Sequence, residues 1–119
     1  MGACSHLTWQ NLRAANVARL MRWHKDSDSW TGADWSNAMC GEAGEAANVV
    51  KKLRRHETHI GASYNTPPKH DLMVMLAMEL ADTIIYADLL AHHYGINLEG
   101  AIIAKFNKVS LDQGFPERL

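Results

Sequence analysis

The sequence predicts an all-α fold. Four stretches carry apolar residues at helical spacing, each is bounded by capping or helix-breaking residues, and no stretch reads convincingly as a strand. The first helix is expected from about Thr8 to His24, with Leu12, Ala15, Val17, Leu20 and Met21 on its apolar side and Thr8 as N-cap. Residues Lys25 to Gly32 are polar and turn-rich, hence a loop. Asp34 then caps a second helix that runs to about Arg55. Its Gly41 and Gly44 each cost about 1 kcal/mol of helix propensity relative to Ala. They either admit the close approach of another helix or a ligand, or are tolerated packing positions.

His56 to Lys69 contains Gly61, Asn65, Pro67 and Pro68, which break the helix and form the longest connection. Such a loop is the natural place for a mobile or substrate-covering element. The third helix spans about His70 to Tyr94 and stops at Gly95, a good C′ residue. Asn97 caps the fourth, which ends near Asp112 and is followed by Gly114 to Leu119. The third helix is apolar almost all the way round. One neighbouring helix cannot cover it, so it is expected to be central or shared with a second subunit. A four-helix bundle completed by oligomerisation follows.

The 119 residues suit a single domain, 1–119, with one core. A formal net charge of −1 gives no basic field to drive nucleic-acid binding. Leu72 to Ala91 is long enough to raise a membrane question, but Glu79, Asp82 and Asp88 within it are each expensive at a bilayer centre. With no basic segment followed by an apolar run at the N-terminus, a cytoplasmic location is expected. Cys4 and Cys40 form no C-x-x-C pattern, and Cys40 reads as a small buried residue without a redox role.

The chemistry is carried by two matched carboxylate pairs, Glu42-x-x-Glu45 and Glu79-x-x-Asp82. Three residues of helix are about 300° of rotation, so both acids of a pair share one face, a turn apart. The second pair lies among apolar neighbours, where a carboxylate is costly unless it meets a cation. Four acids from two facing helices would form an oxygen-only cage of the kind Mg²⁺ or Mn²⁺ prefers. A metal-dependent enzyme acting on a phosphorylated substrate is the expectation.

The first pair's stripe continues through Asn48 to Lys52, which suits a metal at one end and a phosphate tail toward the other. Lys51, Arg54 and Arg55 beside it fit either that tail or a solvated basic helix end. Glu79, Asp82 and Tyr86 share a face on the third helix. Asp88 lies elsewhere and either contacts substrate or pairs with a basic residue across a subunit interface. A di-iron site would want Glu-x-x-His on two helices, and neither Glu42 nor Glu79 provides it. His56 and His59, at a helix end, are a chance spacing. Trp23, Trp30 and Trp35, with His24, cluster around the first loop. They would stack on a nucleobase and bond its edge, or anchor the loop to the core.

These residues sit within longer likenesses. GEAGEAANVVKKLRR (Gly41–Arg55), MELADTIIYADLLA (Met78–Ala91) and KFNKVSLDQGFPERL (Lys105–Leu119), with a looser match at Arg22-Trp23-His24, resemble the MazG-like all-α nucleoside triphosphate pyrophosphohydrolases. These are relatives of the all-α dUTPases and dCTP pyrophosphatases, and the compact form and GFPERL ending resemble the small phage-borne members rather than the longer tandem-domain bacterial ones. The resemblance implies the all-α NTP pyrophosphatase type of bundle and hydrolysis of (deoxy)nucleoside triphosphates to monophosphate and pyrophosphate. It implies Glu42, Glu45, Glu79 and Asp82 as Mg²⁺ ligands and catalytic residues, with Mn²⁺ able to substitute. It also implies phosphate contacts from Lys105, Asn107 and Lys108, and a homodimer or homotetramer.

On that footing Glu45 or Glu42 would orient or deprotonate the attacking water, and Lys52, Lys105 and Lys108 would stabilise the leaving pyrophosphate. Trp23, His24, Trp30 and Tyr86 would attend the nucleoside, with a purine, dGTP or dATP, favoured by the phage analogy. In a phage-encoded protein the location would be the cytoplasm of the bacterial host. The alternatives are a dUTPase- or dCTPase-like pyrimidine specialist and a catalytically silent nucleotide-binding helical module.

Overall fold

The computed structural model describes residues 6–23, 30–61 and 65–119. They form α1 (Trp9–Trp23), α2 (Gly32–Thr58), α3 (Lys69–His93) and α4 (Leu98–Gln113), with no strand among the described residues. The fold is all-α.

The ends follow from local chemistry. Thr8 accepts the Asn11 N–H on its hydroxyl at 2.9 Å, as an N-cap does. At the start of α2 the cap is Thr31, three residues before the expected Asp34. Thr31 accepts the Asp34 N–H on its hydroxyl, while the Asp34 carboxylate accepts the Thr31 N–H at 2.8 Å. Asp34 is thus the third helical residue of a reciprocal capping box, not the cap itself. The Thr31 backbone and hydroxyl hydrogen bonds hold its carboxyl below the ordinary value.

Helix α2 also runs three residues past Arg55, because nothing breaks it until His59 turns into the left-handed region at φ 56°. His56 Nε2 lies 2.7 Å from the Pro67 carbonyl and pins the returning connection. At the far ends of α3 and α4 the pattern repeats. The N–H groups of Gly95 and Ile96 bond the carbonyls of His92 and Ala91, and those of Gly114 and Phe115 bond Leu111 and Ser110. Both glycines have positive φ, the requirement of this helix stop.

The chain divides into two compact units, residues 28–87 and residues 1–27 with 88–119. In the first, α2 and the first part of α3 form an antiparallel helical hairpin. Val49 and Leu53 of α2 pack with the fully buried Leu72 and with Leu76 of α3 near the connection. Trp35 and Tyr86 meet at the opposite end, ring centroids 6.3 Å apart. In the second unit, Arg13 and Asn16 of α1 hold Asp88, and Leu89 and Ala91 are buried.

Cys40 is free and exposed, contrary to the buried position expected. It projects from the side of α2 opposite the stripe of Trp35, Ala46, Val49 and Leu53 that packs inward. Asp88 pairs with Arg13 of its own chain rather than requiring a partner subunit. Among the described residues no helix is long and apolar enough to cross a membrane.

Candidate metal centre

The hairpin places the acids between its leucine end and its aromatic end. On α2, Glu42 falls on the same inward stripe as Trp35, Ala46, Val49 and Leu53. Glu45 sits on the flank of that stripe, about 60° round the helix. On α3, Glu79 continues the row of Leu72 and Leu76. Carboxylates therefore occupy positions where the packing pattern calls for apolar side chains. Glu42 and Glu79 are half-buried as a result, and Glu45 is exposed.

One carboxylate oxygen from each of Glu42, Glu45 and Glu79 lies within 4.8 Å of the others. Three negative charges so close cannot all be kept without compensation. A hydrogen bond that Glu79 shares with Glu45 raises its pKa to about 7, with burial and the charges of Glu45 and Glu42 adding to the effect. Glu42 is raised as well, by burial first and then by the charges of Glu45 and Asp82. Glu79 Oε2 is buried and has no hydrogen-bond partner. An acceptor in that condition needs a proton or a cation. The donor set is oxygen only, which suits a hard divalent ion.

Asp82, the fourth expected ligand, is half-buried and lies outside this close set, though its charge is felt at Glu42. Beyond Glu45 on α2, Asn48 is exposed and Lys52 half-buried, the latter about 10 Å further along the axis by helical rise. Gly41 and Gly44 are exposed, and a Cβ built on either meets nothing within 4 Å, so no packing contact calls for glycine there.

The aromatic residues divide. Trp30 stacks at 4.5 Å, tilted, on Trp35, which in turn faces Tyr86. Trp35 is only 6% exposed and so anchors the hairpin end. Trp30 and Tyr86, both half-buried, keep edges available. Trp23 on α1 is exposed, with the Arg19 guanidinium 5.0 Å over its ring. His24 lies outside the described residues.

Of the three α4 residues expected at phosphates, Asn107 and Lys108 have other engagements in this structure. Asn107 donates its amide N–H to the Leu119 carbonyl at 3.3 Å and accepts the Leu119 N–H at 2.8 Å. The turn at Gly114 brings the tail back for this clasp. Lys108 pairs with Asp112 at 2.6 Å, one turn on, and Lys105 is exposed.

Sequence reasoning missed two relationships here. The Trp35–Tyr86 contact depends on the register of α2 against α3, which no local pattern specifies. The raised carboxyl of Glu79 depends on the same register. The signal that could have exposed both is the apolar stripe itself, in which Glu42 and Glu79 each replace a core residue. Neither the models of known protein families nor the curated proteins give a match to the chain.

Proposed function

We propose that the chain is a divalent-cation-dependent nucleoside triphosphate pyrophosphohydrolase of the MazG-like kind, cutting between the α- and β-phosphates. The observation that carries this reading is the Glu42–Glu45–Glu79 cluster, with Glu79 Oε2 buried and unsatisfied. The substrate class rests on the sequence resemblance.

The residues fit a hard cation: three carboxylates converge, and one of their oxygens is left without a partner. When bound, Mg²⁺ would neutralise charge on phosphate oxygens and lower the pKa of a water. Glu42 and Glu79, held by the hairpin core, would hold the ion, with Asp82, one turn on along α3, adding negative charge beside them. Glu45 stands on the exposed flank and would orient the water for in-line attack at the α-phosphorus. Lys52 lies on the same helix at a distance that suits the departing pyrophosphate. Trp30 and Tyr86 offer ring faces and edges to a base, with a purine preferred on the likeness to small phage-borne members. Roles for Trp23, His24, Asn48, Lys105, Asn107 and Lys108 rest on the sequence alone.

The test is a panel of common NTPs and dNTPs with Mg²⁺ or Mn²⁺, separating pyrophosphate from phosphate. Pyrophosphate and a monophosphate in equal amounts, lost in Glu79→Gln, are expected. Turnover confined to dCTP or dUTP would replace purine preference with a pyrimidine specialist. Nucleotide binding without turnover under either metal would overturn the enzyme reading.

A further inference from the structure

A cavity of about 290 Å³ lies within the unit of residues 1–27 and 88–119, apart from the acid cluster of the other unit. That is near the small end of ligand sites, about 300–1,000 Å³. Its lining includes Trp9 and Arg13 of α1, Asp88 of α3, and Asn97, Leu98 and Glu99 at the start of α4. Trp9 and Arg13 are four residues apart on α1, so they stand one above the other on the same wall. Trp9 is half-buried and leaves part of its indole exposed.

The polar groups are already sorted into a donor and an acceptor. Arg13 is fixed at two points, donating from Nε to Asp88 at 3.0 Å and from Nη2 to the Ile96 carbonyl at 3.1 Å. Asp88 is 1% exposed, and Asn16 donates to its other oxygen. Arg13 Nη1 keeps N–H groups that no described residue accepts. Glu99 is half-buried and makes no hydrogen bond or ion pair among the described residues. The charge of Arg13 is matched by Asp88, so an anion entering the cavity meets the surplus negative charge of Glu99. A flat, neutral molecule suits this lining, with an acceptor for Arg13 beside donors for a carboxylate. Among the common bases only guanine carries that order on one edge: a carbonyl, then a ring N–H, then an amine.

We propose that this cavity binds a guanine-type nucleobase or nucleoside without phosphate. Trp9 lies against the ring face, Glu99 accepts from the ring N–H and the amine, and Arg13 Nη1 donates to the carbonyl oxygen. The site is separate from the proposed metal centre and does not rest on that reading.

An NMR titration of the chelator-treated full chain with guanosine tests it without any activity measurement. The Trp9 indole N–H and the Leu98 and Glu99 amides should shift saturably, with a Kd below about 1 mM. Adenosine, whose edge offers Glu99 no such pair of donors, and guanosine 5′-monophosphate, which adds negative charge, should each bind at least about tenfold more weakly. Glu99→Gln should weaken guanosine by about tenfold or more, with the helical circular dichroism retained. The ligand series on the unaltered chain decides the matter even if that variant does not fold. Four results would each overturn the proposal: no saturable shift, adenosine or the monophosphate binding as well as guanosine, a folded Glu99→Gln variant of unchanged affinity, or shifts at Trp30 and Tyr86 with Trp9 unmoved.

Discussion

Arg13 donates from Nε to Asp88 Oδ1 at 3.0 Å, a pair separated by 75 positions in the sequence. Asn16 donates to the other carboxylate oxygen at 2.9 Å, and Arg13 also reaches the Ile96 carbonyl. The Asp88 side chain is 2% exposed and that of Arg13 27%. Such a pair need not stabilise the protein relative to a hydrophobic replacement, but breaking it strands a buried charge. Arg13→Ala should therefore destabilise by about 3 kcal/mol, the lower part of the usual range because Arg13 is partly solvated. Denaturant unfolding of the two proteins checks this. A loss under about 1 kcal/mol would show that water takes the place of the guanidinium.

Glu79 makes the metal-free protein sensitive to pH. Its carboxyl is raised from an ordinary 4.5 to about 7 in the folded state. The folded form thus binds a proton that the unfolded form has already released between those values. Stability from this group is fully present below about pH 4.5, declines as pH rises toward 7, and is lost above it. Cation binding must expel the same proton, so affinity should climb through pH 6 to 7 and level off beyond 8. Calorimetric titration of Mn²⁺ in buffers of different ionisation enthalpy should detect proton release at pH 6 and little at pH 8.5.

Replacing Glu79 by Gln should have opposite effects with and without metal. The amide removes one charge from the crowded cluster and keeps its shape. Chelator-treated Glu79→Gln should melt above the chelator-treated wild type at pH 8, yet gain nothing on adding Mg²⁺ or Mn²⁺. A thermal melt at both conditions decides it. Metal-induced stabilisation equal to the wild type's would remove Glu79 from the ligand set.

Asn107→Ala should loosen the tail without weakening the helices. The clasp to Leu119 is exposed, so its two hydrogen bonds are each worth no more than about 1 kcal/mol. Amide exchange at Leu119 should rise at least about tenfold, while the amides of α4 retain their protection. Exchange measured by NMR separates the two. If triphosphate hydrolysis is found, its loss in this variant would give Asn107 a substrate role beyond the clasp.

What could be read from the sequence was what local chemistry determines. The four helices, the Thr8 and Asn97 caps and the glycine stop at Gly95 all depend on residues within a turn or two. Misplacing the α2 cap at Asp34 shows the limit even there, since Thr31 and Asp34 are a reciprocal pair and either alone resembles a cap. Spacing alone brought Glu42 and Glu45 to one side of α2. Their meeting with Glu79 required a second helix in the correct register, which the apolar stripes determine only once the hairpin is known. Arg13 and Asp88 carry no local signal at all. Asn107 looked available for phosphate because its bond to Leu119 depends on a turn that returns the chain by twelve positions.

The proton at Glu79 bears on how this protein is handled at the bench. Below neutrality it is a competitor already seated in the cluster, and it makes the empty protein look content. A ligand screen run at pH 6 by melting temperature would start from a well-stabilised baseline and score Mg²⁺ as inert. On the proposed metal reading, the same screen at pH 8 would begin from a weaker protein and score Mg²⁺ as a hit. The choice of buffer would decide whether such a screen could test the proposed metal at all.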